Sequence, residues 1–189
     1  MNKVAFVTLG CKTNQYETDA LMDLFYKNRY EIVDFEDFSD IYVINTCTVT
    51  HVSDKKSRQM IRRAKKNNPN GIVVVVGCYA QISPDEVKAI EGVDIVIGTD
   101  ARSDMLHYIA DYQSGETEKP YVIVKDIMKV SHFEEMTLGA VTAHTRAFIK
   151  IQEGCNQYCS YCIIPYARGH VRSRSIEHVL SEVQQLTLR

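Results

Sequence analysis

The six cysteines of this sequence have the type and spacing of residues that bind metals or act in catalysis. They form two groups of three. Thiolates bind metals and act as nucleophiles, and clustered cysteines of intracellular proteins are more often metal-binding or catalytic than disulfide-bonded. The two groups are the first trio, Cys11, Cys47 and Cys78, and the second trio, Cys155, Cys159 and Cys162. The first trio is spread over half of the chain, whereas the second is confined to eight residues.

The composition narrows the class of protein. The chain has 189 residues, of which 45% are hydrophobic and 24% charged, as in ordinary globular proteins. Its formal net charge of −2 argues against a protein that binds polyanions through bulk positive charge. The longest aliphatic run, residues 72–76, is far shorter than the ~20 residues of a membrane span. No signal-peptide pattern begins the chain, so we predict a cytoplasmic protein without membrane contact.

Alternating aliphatic runs and helical patterns in the first half predict an open parallel α/β sheet with flanking helices. Strands are predicted at residues 4–8, 41–45, 72–76, 94–97 and 121–125. Helices are predicted at residues 18–28, 53–67 and 103–112, and from Pro84, with Ser83 and Glu86 forming a capping box.

A second region follows. We predict an α/β domain over residues 1–127, a connection over 128–145, and a new region over 146–189. That region has one predicted strand (147–152), the cysteine-rich loop, and a helix capped by Ser175, which together form one βα unit. The apolar stripe of that helix would be uncovered and available for association with another copy. Its members are Ile176, Val179, Leu180, Val183 and Leu186.

The first trio has a common context, since each cysteine lies within about three residues of the carboxyl end of a predicted strand. The carboxyl ends of parallel strands lie along one sheet edge, so the three thiols are expected to converge there. Glycine precedes Cys11 and Cys78, which allows a tight turn. Three thiolates suit an iron–sulfur cluster with one open iron, or zinc with His51 as fourth ligand. Buried structural thiols are the remaining alternative.

The second trio has CxxxCxxC spacing on one short loop. A structural zinc site would need a fourth ligand, for which His170 is the candidate. Three cysteines alone leave one iron of a 4Fe–4S cluster without a protein ligand. Arg168, Arg172 and Arg174 follow the loop and can hold a carboxylate or phosphate.

These motifs resemble the radical S-adenosylmethionine methylthiotransferases. Residues 147–154, 163–169 and 172–174, with the loop between them, are similar to the radical domain of that family. Residues 9–12, 45–50 and 76–81 are similar to its N-terminal domain. The resemblance implies that the first trio binds an auxiliary 4Fe–4S cluster. It implies that the second, catalytic trio binds a radical-generating cluster with S-adenosylmethionine, contacted by Tyr161 and the three arginines.

The resemblance also implies a substrate. The family adds a methylthio group to a tRNA adenosine beside the anticodon or to an aspartate of a ribosomal protein. The stretch from Cys11 to Glu17 is most similar to the branch that acts on carbon 2 of threonylcarbamoyladenosine, followed by the isopentenyladenosine branch. The implied partners are the tRNA anticodon loop and a reductant protein such as flavodoxin or ferredoxin. The alternative of another class is a non-catalytic iron–sulfur or zinc module for electron transfer or structure.

The length predicts a fragment of a longer protein, because only 44 residues follow Thr145 and a (β/α)8 barrel needs at least about 200. We therefore expect only the first βα unit of an incomplete barrel, in a fragment for which the resemblance does not imply activity by itself.

Two further features have alternative interpretations. Residues 55–66 carry seven basic side chains and no acidic one, which indicates either an RNA-contacting face or a solvated helix face. Asn14 and Glu17 either order the loop of Cys11, or Asn14 caps the following helix.

Overall fold

A six-stranded, entirely parallel sheet forms the centre of the computed structural model. The structure describes residues 2–47, 51–136 and 147–187, and for residues 51–54 it describes the backbone only. The strands of this sheet are β1 (Lys3–Thr8), β2 (Glu31–Val33), β3 (Ile41–Thr46), β4 (Ile72–Gly77), β5 (Ile95–Ile97) and β6 (Tyr121–Ile123). Their order across the sheet is β2-β1-β3-β4-β5-β6, which confirms the predicted α/β class.

Helices cover both faces of this sheet. They are α1 (Lys12–Lys27), α2 (His51–Asn67), α3 (Cys78–Ile82), α4 (Pro84–Lys88) and α5 (Met105–Ser114). α1 and α5 supply Phe25 and Met105 to the core on one face, and α2 and α4 supply Ile61 and Val87 to the core on the other. The central strands β3 and β4 are apolar on both sides because both faces are buried, as expected of parallel sheets.

The strands are added to the sheet in opposite directions on the two sides of β1, because β2 lies on one side of β1 and the later strands lie on the other. In doubly wound sheets the carboxyl ends of the strands at such a reversal form a crevice where ligands bind. The loops that follow β1, β3 and β4 are therefore the expected ligand-binding region of this fold.

Several element boundaries differ from those predicted. α1 begins at Lys12 rather than Thr18, because its first turns bury polar side chains such as Asn14, which do not register in an apolar pattern. β2 was not predicted because its three residues include the exposed Glu31 and are only partly buried, so they leave little apolar pattern. Pro84 opens α4 as predicted, but the Ser83 side chain forms no capping hydrogen bond. Glu86 instead accepts a hydrogen bond from the Tyr79 hydroxyl at 3.1 Å.

The region after residue 146 adds two short strands and two helices of its own beside the sheet. β7 (Gln152–Glu153) pairs antiparallel with β8 (Arg172–Ser173), and α6 (Ile164–Arg168) lies between them in the chain. The predicted strand over residues 147–152 is thus reduced to a two-residue ladder. α7 (Ile176–Thr187) follows, with Ser175 Oγ accepting a hydrogen bond from the His178 amide at 3.2 Å, as a capping residue does.

The stripe of α7 is exposed as predicted, since Ile176 and Leu180 are 73% and 55% accessible. Part of the predicted connection, residues 137–145, lies outside the described residues. In the part of the chain that is described, we find no helix with the length and apolar character needed to span a membrane.

Candidate functional site

The first trio lies at the carboxyl ends of three neighbouring strands. Cys11 directly precedes α1 after β1, Cys47 follows β3, and Cys78 opens α3 after β4. β1, β3 and β4 are adjacent and paired to their ends, with Thr8 beside Asn45 and Thr46 beside Gly77. The three cysteines therefore share one edge of the sheet, as the strand pattern predicted.

Asn14 organises this edge by linking the loops after β1 and β3. Its side-chain nitrogen donates to Asn45 Oδ1 and to the Thr46 carbonyl, both at 2.9 Å. Its side-chain oxygen accepts a hydrogen bond from the Cys11 thiol at 3.2 Å. Asn14 is fully buried inside α1, so it orders the loop of Cys11 and does not cap the helix.

Gly77 allows the chain to turn tightly before Cys78. Its φ of +105° is unfavourable for residues with a side chain, and a Cβ there would lie 2.5 Å from the Thr46 carbonyl oxygen. Gly10 is similar in one respect, because a Cβ there would lie 3.0 Å from Cys47 Cβ. Both glycines bring the backbone close to the end of β3, Gly10 beside Cys47 and Gly77 beside Thr46.

The thiols of the first trio differ in their surroundings. Cys11 is exposed, whereas Cys47 and Cys78 are buried. Burial raises the pKa of the Cys78 thiol, and the positive charge of Arg168 opposes that effect. Among the described side chains, no three Cys, His, Asp or Glu residues lie together closely enough to hold a metal ion in this conformation. The side chain of His51, the predicted alternative ligand, lies outside the described residues.

The second trio lies on the loop between β7 and α6. The Cys155 amide donates to the Gly169 carbonyl at 3.0 Å, and the Cys162 amide donates to the Cys159 carbonyl at 2.9 Å. Cys159 is exposed and the other two are partly exposed, so this loop faces solvent. All six cysteines have free thiols, and both donor sets have the all-sulfur chemistry that iron–sulfur clusters use.

A buried network of charged side chains connects α1 with the region after residue 146. Glu17 lies 2.6 Å from both Arg102 Nη1 and Arg168 Nη1, and 3.2 Å from Lys150 Nζ. Glu153 is 2.7 Å from Arg168 Nη1 and 3.1 Å from Lys150 Nζ. Burial alone would raise the pKa of Glu17, but the three cations outweigh it and hold that pKa well below its ordinary value. Glu17 is therefore ionised at neutral pH.

The four predicted cofactor contacts lie in different environments. Tyr161 is 91% exposed on the loop of the second trio. Arg168 is buried against Glu17 and Glu153. Arg172 is buried and donates to the His170 carbonyl at 3.2 Å. Arg174 is buried and pairs with Glu135 at 2.8 Å and with Glu182. In this conformation the three arginines thus bind protein carboxylates and a carbonyl, and Tyr161 is the predicted contact that faces solvent.

Sequence reasoning did not identify the other members of the buried network. Arg102 is fully buried and pairs with Glu134 at 2.8 Å, although the two are 32 residues apart. Lys150 and Glu153 are three residues apart and both point inward. The sequence signal for them is weak, because charged residues at such spacings are usually on the surface.

The basic stretch lies on α2, and most of its charges are exposed. Arg63 pairs with Glu36, and Lys65 reaches Asp94 at 2.7 Å and the Gly71 carbonyl at 2.7 Å. The remaining basic side chains of the stretch are exposed, and none is paired with a described carboxylate. They are Lys55, Lys56, Arg58, Arg62 and Lys66.

Comparison with known proteins gives matches along the whole chain. Residues 3–98 match the family described as "Uncharacterized protein family UPF0004". The chain is 56% identical, over 98% of its length, to threonylcarbamoyladenosine tRNA methylthiotransferase MtaB of Bacillus subtilis, and covers 41% of that protein. For the protein of the same name in Aquifex aeolicus, the identity is 45%, over 97% of this chain and 44% of the relative.

A relative with another named substrate is also similar. Ribosomal protein uS12 methylthiotransferase RimO of Desulfitobacterium hafniense is 34% identical over 97% of this chain and 41% of its own length. The chain thus spans about two fifths of the length of these relatives. The family match covers just over half of the chain, and it includes all three cysteines of the first trio. The chain belongs to the methylthiotransferase family.

Proposed function

We propose that this chain is part of a tRNA methylthiotransferase that adds a methylthio group to carbon 2 of threonylcarbamoyladenosine beside the anticodon. The observation that carries the proposal is the 56% identity to a relative named for that activity, over 98% of the chain. Because the chain spans 41% of that relative, we assign the activity to the protein of full length and not to the isolated chain.

The two trios would each hold a 4Fe–4S cluster. The shared sheet edge of Cys11, Cys47 and Cys78 supports an auxiliary cluster there, and the exposed loop of the second trio supports one that is accessible to S-adenosylmethionine. When bound, these cofactors supply the one-electron chemistry that removes hydrogen from the adenine carbon and delivers sulfur to it. Three protein thiolates at each site leave one iron without a protein ligand, whereas electron-transfer clusters usually have four cysteines.

In this proposal, residues of the chain hold the loops of the two trios in place and contact the cofactor or substrate. Asn14 and Gly77 hold the strand-end loops that carry the first trio. Tyr161, exposed beside Cys162, is placed to stack on a flat ring of a cofactor or substrate. In the conformation described, Arg172 donates a hydrogen bond to the His170 carbonyl, and Arg174 forms a salt bridge with Glu135. They remain candidates for cofactor contact only if those partners are exchanged.

The substrate and the partners belong to the same proposal. The exposed basic side chains of α2 suit contact with the phosphates of tRNA. A reductant such as flavodoxin or ferredoxin would supply the electron. The lower identity of 34% to a uS12 methylthiotransferase favours tRNA over a ribosomal-protein aspartate as substrate. Isopentenyladenosine is the alternative nucleoside.

Iron counting tests the cofactor part of the proposal. After anaerobic reconstitution we expect about eight irons per chain, because two 4Fe–4S clusters are held. A variant with Cys11, Cys47 and Cys78 replaced by alanine is the matched control, and it should retain about four. Stoichiometric zinc, or about four irons in the unmodified folded chain, would contradict two clusters.

Nucleoside mass spectrometry tests the substrate. In tRNA from cells that lack the parent gene, the methylthio group on threonylcarbamoyladenosine should be absent and should return with the gene. Loss of the methylthio group from isopentenyladenosine, or from a ribosomal protein, would reassign the substrate.

A further inference from the structure

Arg168 is the side chain that joins the surroundings of the two trios. Its guanidinium donates to Glu17 at 2.6 Å and to Asn14 Oδ1 at 3.3 Å, and the same Asn14 oxygen accepts from the Cys11 thiol at 3.2 Å. The next residue, Gly169, accepts the hydrogen bond of the Cys155 amide at 3.0 Å. Arg168 is therefore linked to the first trio through Asn14, and the next residue, Gly169, holds the loop of the second trio.

The position of Arg168 is tightly held by the fold. The carbonyl of the preceding residue, Ala167, accepts a buried hydrogen bond from Thr99 Oγ1 at 2.7 Å. The Gly169 amide donates to the Pro165 carbonyl at 2.8 Å. These bonds hold the backbone on either side of Arg168, and its salt bridges with Glu17 and Glu153 hold the side chain, so the guanidinium has little freedom to move away from Asn14.

The buried network around Arg168 contains more positive than negative side chains. Buried charges are stable only when they are compensated by opposite charges and hydrogen bonds. Among the described side chains, three carboxylates face four cations, and the members are Glu17, Glu134, Glu153, Arg102, Lys150, Arg168 and Arg172. The excess is one positive charge. Arg168 belongs to this network and shares the Asn14 side-chain oxygen with the Cys11 thiol, so the excess favours an anionic group at the first trio.

On the basis of the proposed function, we propose that Arg168 is a positioning residue with two roles. Its guanidinium raises the reduction potential of the cluster held by the first trio. By fixing the position of the Gly169 carbonyl, which accepts the Cys155 amide hydrogen bond, it also keeps the loop of the second trio beside that cluster. The first role follows from electrostatics, because a nearby positive charge stabilises the reduced cluster, which carries one more negative charge. Net charge and hydrogen bonds around the sulfurs are the protein's main means of setting such potentials.

The experiment isolates the first trio by using a background in which Cys155, Cys159 and Cys162 are replaced by alanine. In that background we compare Arg168→Gln, Arg168→Lys and Glu17→Gln with the exposed control Arg62→Gln. Each protein is reconstituted anaerobically, its iron is counted, and its midpoint potential is measured by a redox titration followed by electron paramagnetic resonance. In the chain with all six cysteines, hydrogen exchange of the Cys155 amide reports the second role.

The expected results have opposite signs. Arg168→Gln shifts the potential to more negative values, Glu17→Gln shifts it to more positive values, and Arg168→Lys and Arg62→Gln leave it near that of the background. Arg168→Gln also speeds exchange of the Cys155 amide, whereas Arg62→Gln does not. A purely structural role would not give shifts of opposite sign.

Three outcomes would overturn the inference. One is an unchanged potential in Arg168→Gln at full iron content, and another is an unchanged exchange rate of the Cys155 amide in that variant. If Arg168→Gln binds no iron, Arg168→Lys decides, and loss of iron there too would show that the side chain serves folding alone. If the background protein itself binds no cluster, the proposed function fails instead, so the two failures are distinguishable.

Discussion

Glu17 is a single buried carboxylate that holds three distant parts of the chain together. It lies in the first half of α1 and pairs with Arg102 before α5, Lys150 before β7, and Arg168 at the end of α6. Removing one member of a buried ionic network leaves its partners uncompensated, which costs more than the pairing itself contributes. The role of Glu17 is therefore structural as well as electrostatic.

The Glu17→Gln variant tests that role. The amide keeps the size of the side chain but removes the charge that three buried cations share, so the free energy of unfolding should fall by about 3–5 kcal/mol. Urea unfolding followed by circular dichroism measures the change. The matched control, Glu116→Gln on the surface, should stay within about 0.5 kcal/mol of the unmodified chain. Equal stabilities of the two variants would contradict the role of Glu17.

The low pKa values of Glu17 and Glu153 predict a pH dependence of stability. Burial raises both pKa values, but Arg102 and the other cations outweigh it, so both lie below the ordinary value of 4.5. A carboxyl with a lowered folded-state pKa contributes stability that is present above the unfolded value and lost as pH falls through the folded one.

We therefore expect the free energy of unfolding to decrease as the pH falls below about 4.5. Urea unfolding at a series of pH values between neutral and acid measures this. The slope should be shallower in Glu17→Gln, because one of the two carboxyls no longer binds a proton on unfolding. The same slope in both proteins would show that other groups cause acid unfolding.

Two glycines with positive φ, Gly77 and Gly115, allow the steric requirement at the end of β4 to be separated from the backbone requirement. In Gly77→Ala the methyl group would lie 2.5 Å from the Thr46 carbonyl oxygen, at a φ of +105°. In Gly115→Ala, φ is +78° but no atom lies within 4 Å. We expect Gly115→Ala to cost about 1–2 kcal/mol of stability, because left-handed backbone alone is disfavoured.

Gly77→Ala should cost clearly more, since the contact with Thr46 adds to the backbone strain. It should also reduce iron binding by the first trio, because the turn that places Cys78 must move. Thermal or urea unfolding and iron counting on both variants measure these effects. Similar losses in the two variants would show that Gly77 needs only its backbone conformation.

At the scale of elements, α2 has a basic face whose side chains form no ion pair with a described carboxylate. Residues 55, 58, 62 and 66 are spaced by three or four positions, so they lie on one side of the helix. All four are basic and exposed, and none is paired with a carboxylate among the described residues. No ion pair among the described residues must break before such a face contacts phosphates.

The Arg58→Glu, Arg62→Glu variant tests this face within the proposed tRNA function. Binding of a fluorescent tRNA anticodon stem–loop should weaken. The slope of log affinity against log salt should decrease by roughly 0.7–0.9 per lost phosphate contact. The control variant Lys88→Glu, Lys129→Glu changes net charge equally on other elements. If the two variants weaken binding equally, net charge and not this face is responsible.

At the scale of the whole molecule, buried ion pairs couple the sheet to the region after residue 146. Glu17 in α1 and Arg168 in α6 are 151 residues apart in sequence, and both are buried. The Tyr16 hydroxyl donates to the Met136 carbonyl at 2.8 Å and lies 3.2 Å from the Glu182 carboxylate of α7. Regions joined by buried polar contacts of this kind are expected to unfold together.

Hydrogen exchange at increasing urea concentrations tests this coupling. Peptides that contain α6 and peptides that contain β4 should lose protection at the same urea midpoint in the unmodified chain. In Glu17→Gln the peptides of α6 should lose protection first, because one shared partner is missing. Separate midpoints in the unmodified chain would show that the two regions unfold independently.

The sequence by itself determined the parallel α/β class, because buried parallel strands leave continuous aliphatic runs such as residues 72–76. It also placed the first trio at one sheet edge, since the carboxyl ends of parallel strands must share an edge. Those features depend on local composition and on a general rule of topology, so they can be read without coordinates. The resemblance to the methylthiotransferase family likewise rests on short local motifs, such as residues 9–12 and 76–81.

Only the tertiary structure decided the surroundings of the trios. Arg168 looked like a candidate for cofactor contact in the sequence, yet its guanidinium is buried between Glu17 and Glu153. The early start of α1 and the buried Arg102 were equally invisible, because burial of a charge depends on partners brought close by the fold. Sequence spacing carries no information about partners that the fold brings together from distant parts of the chain, such as Glu17 and Arg168, and these partners contribute to the electrostatics of the site.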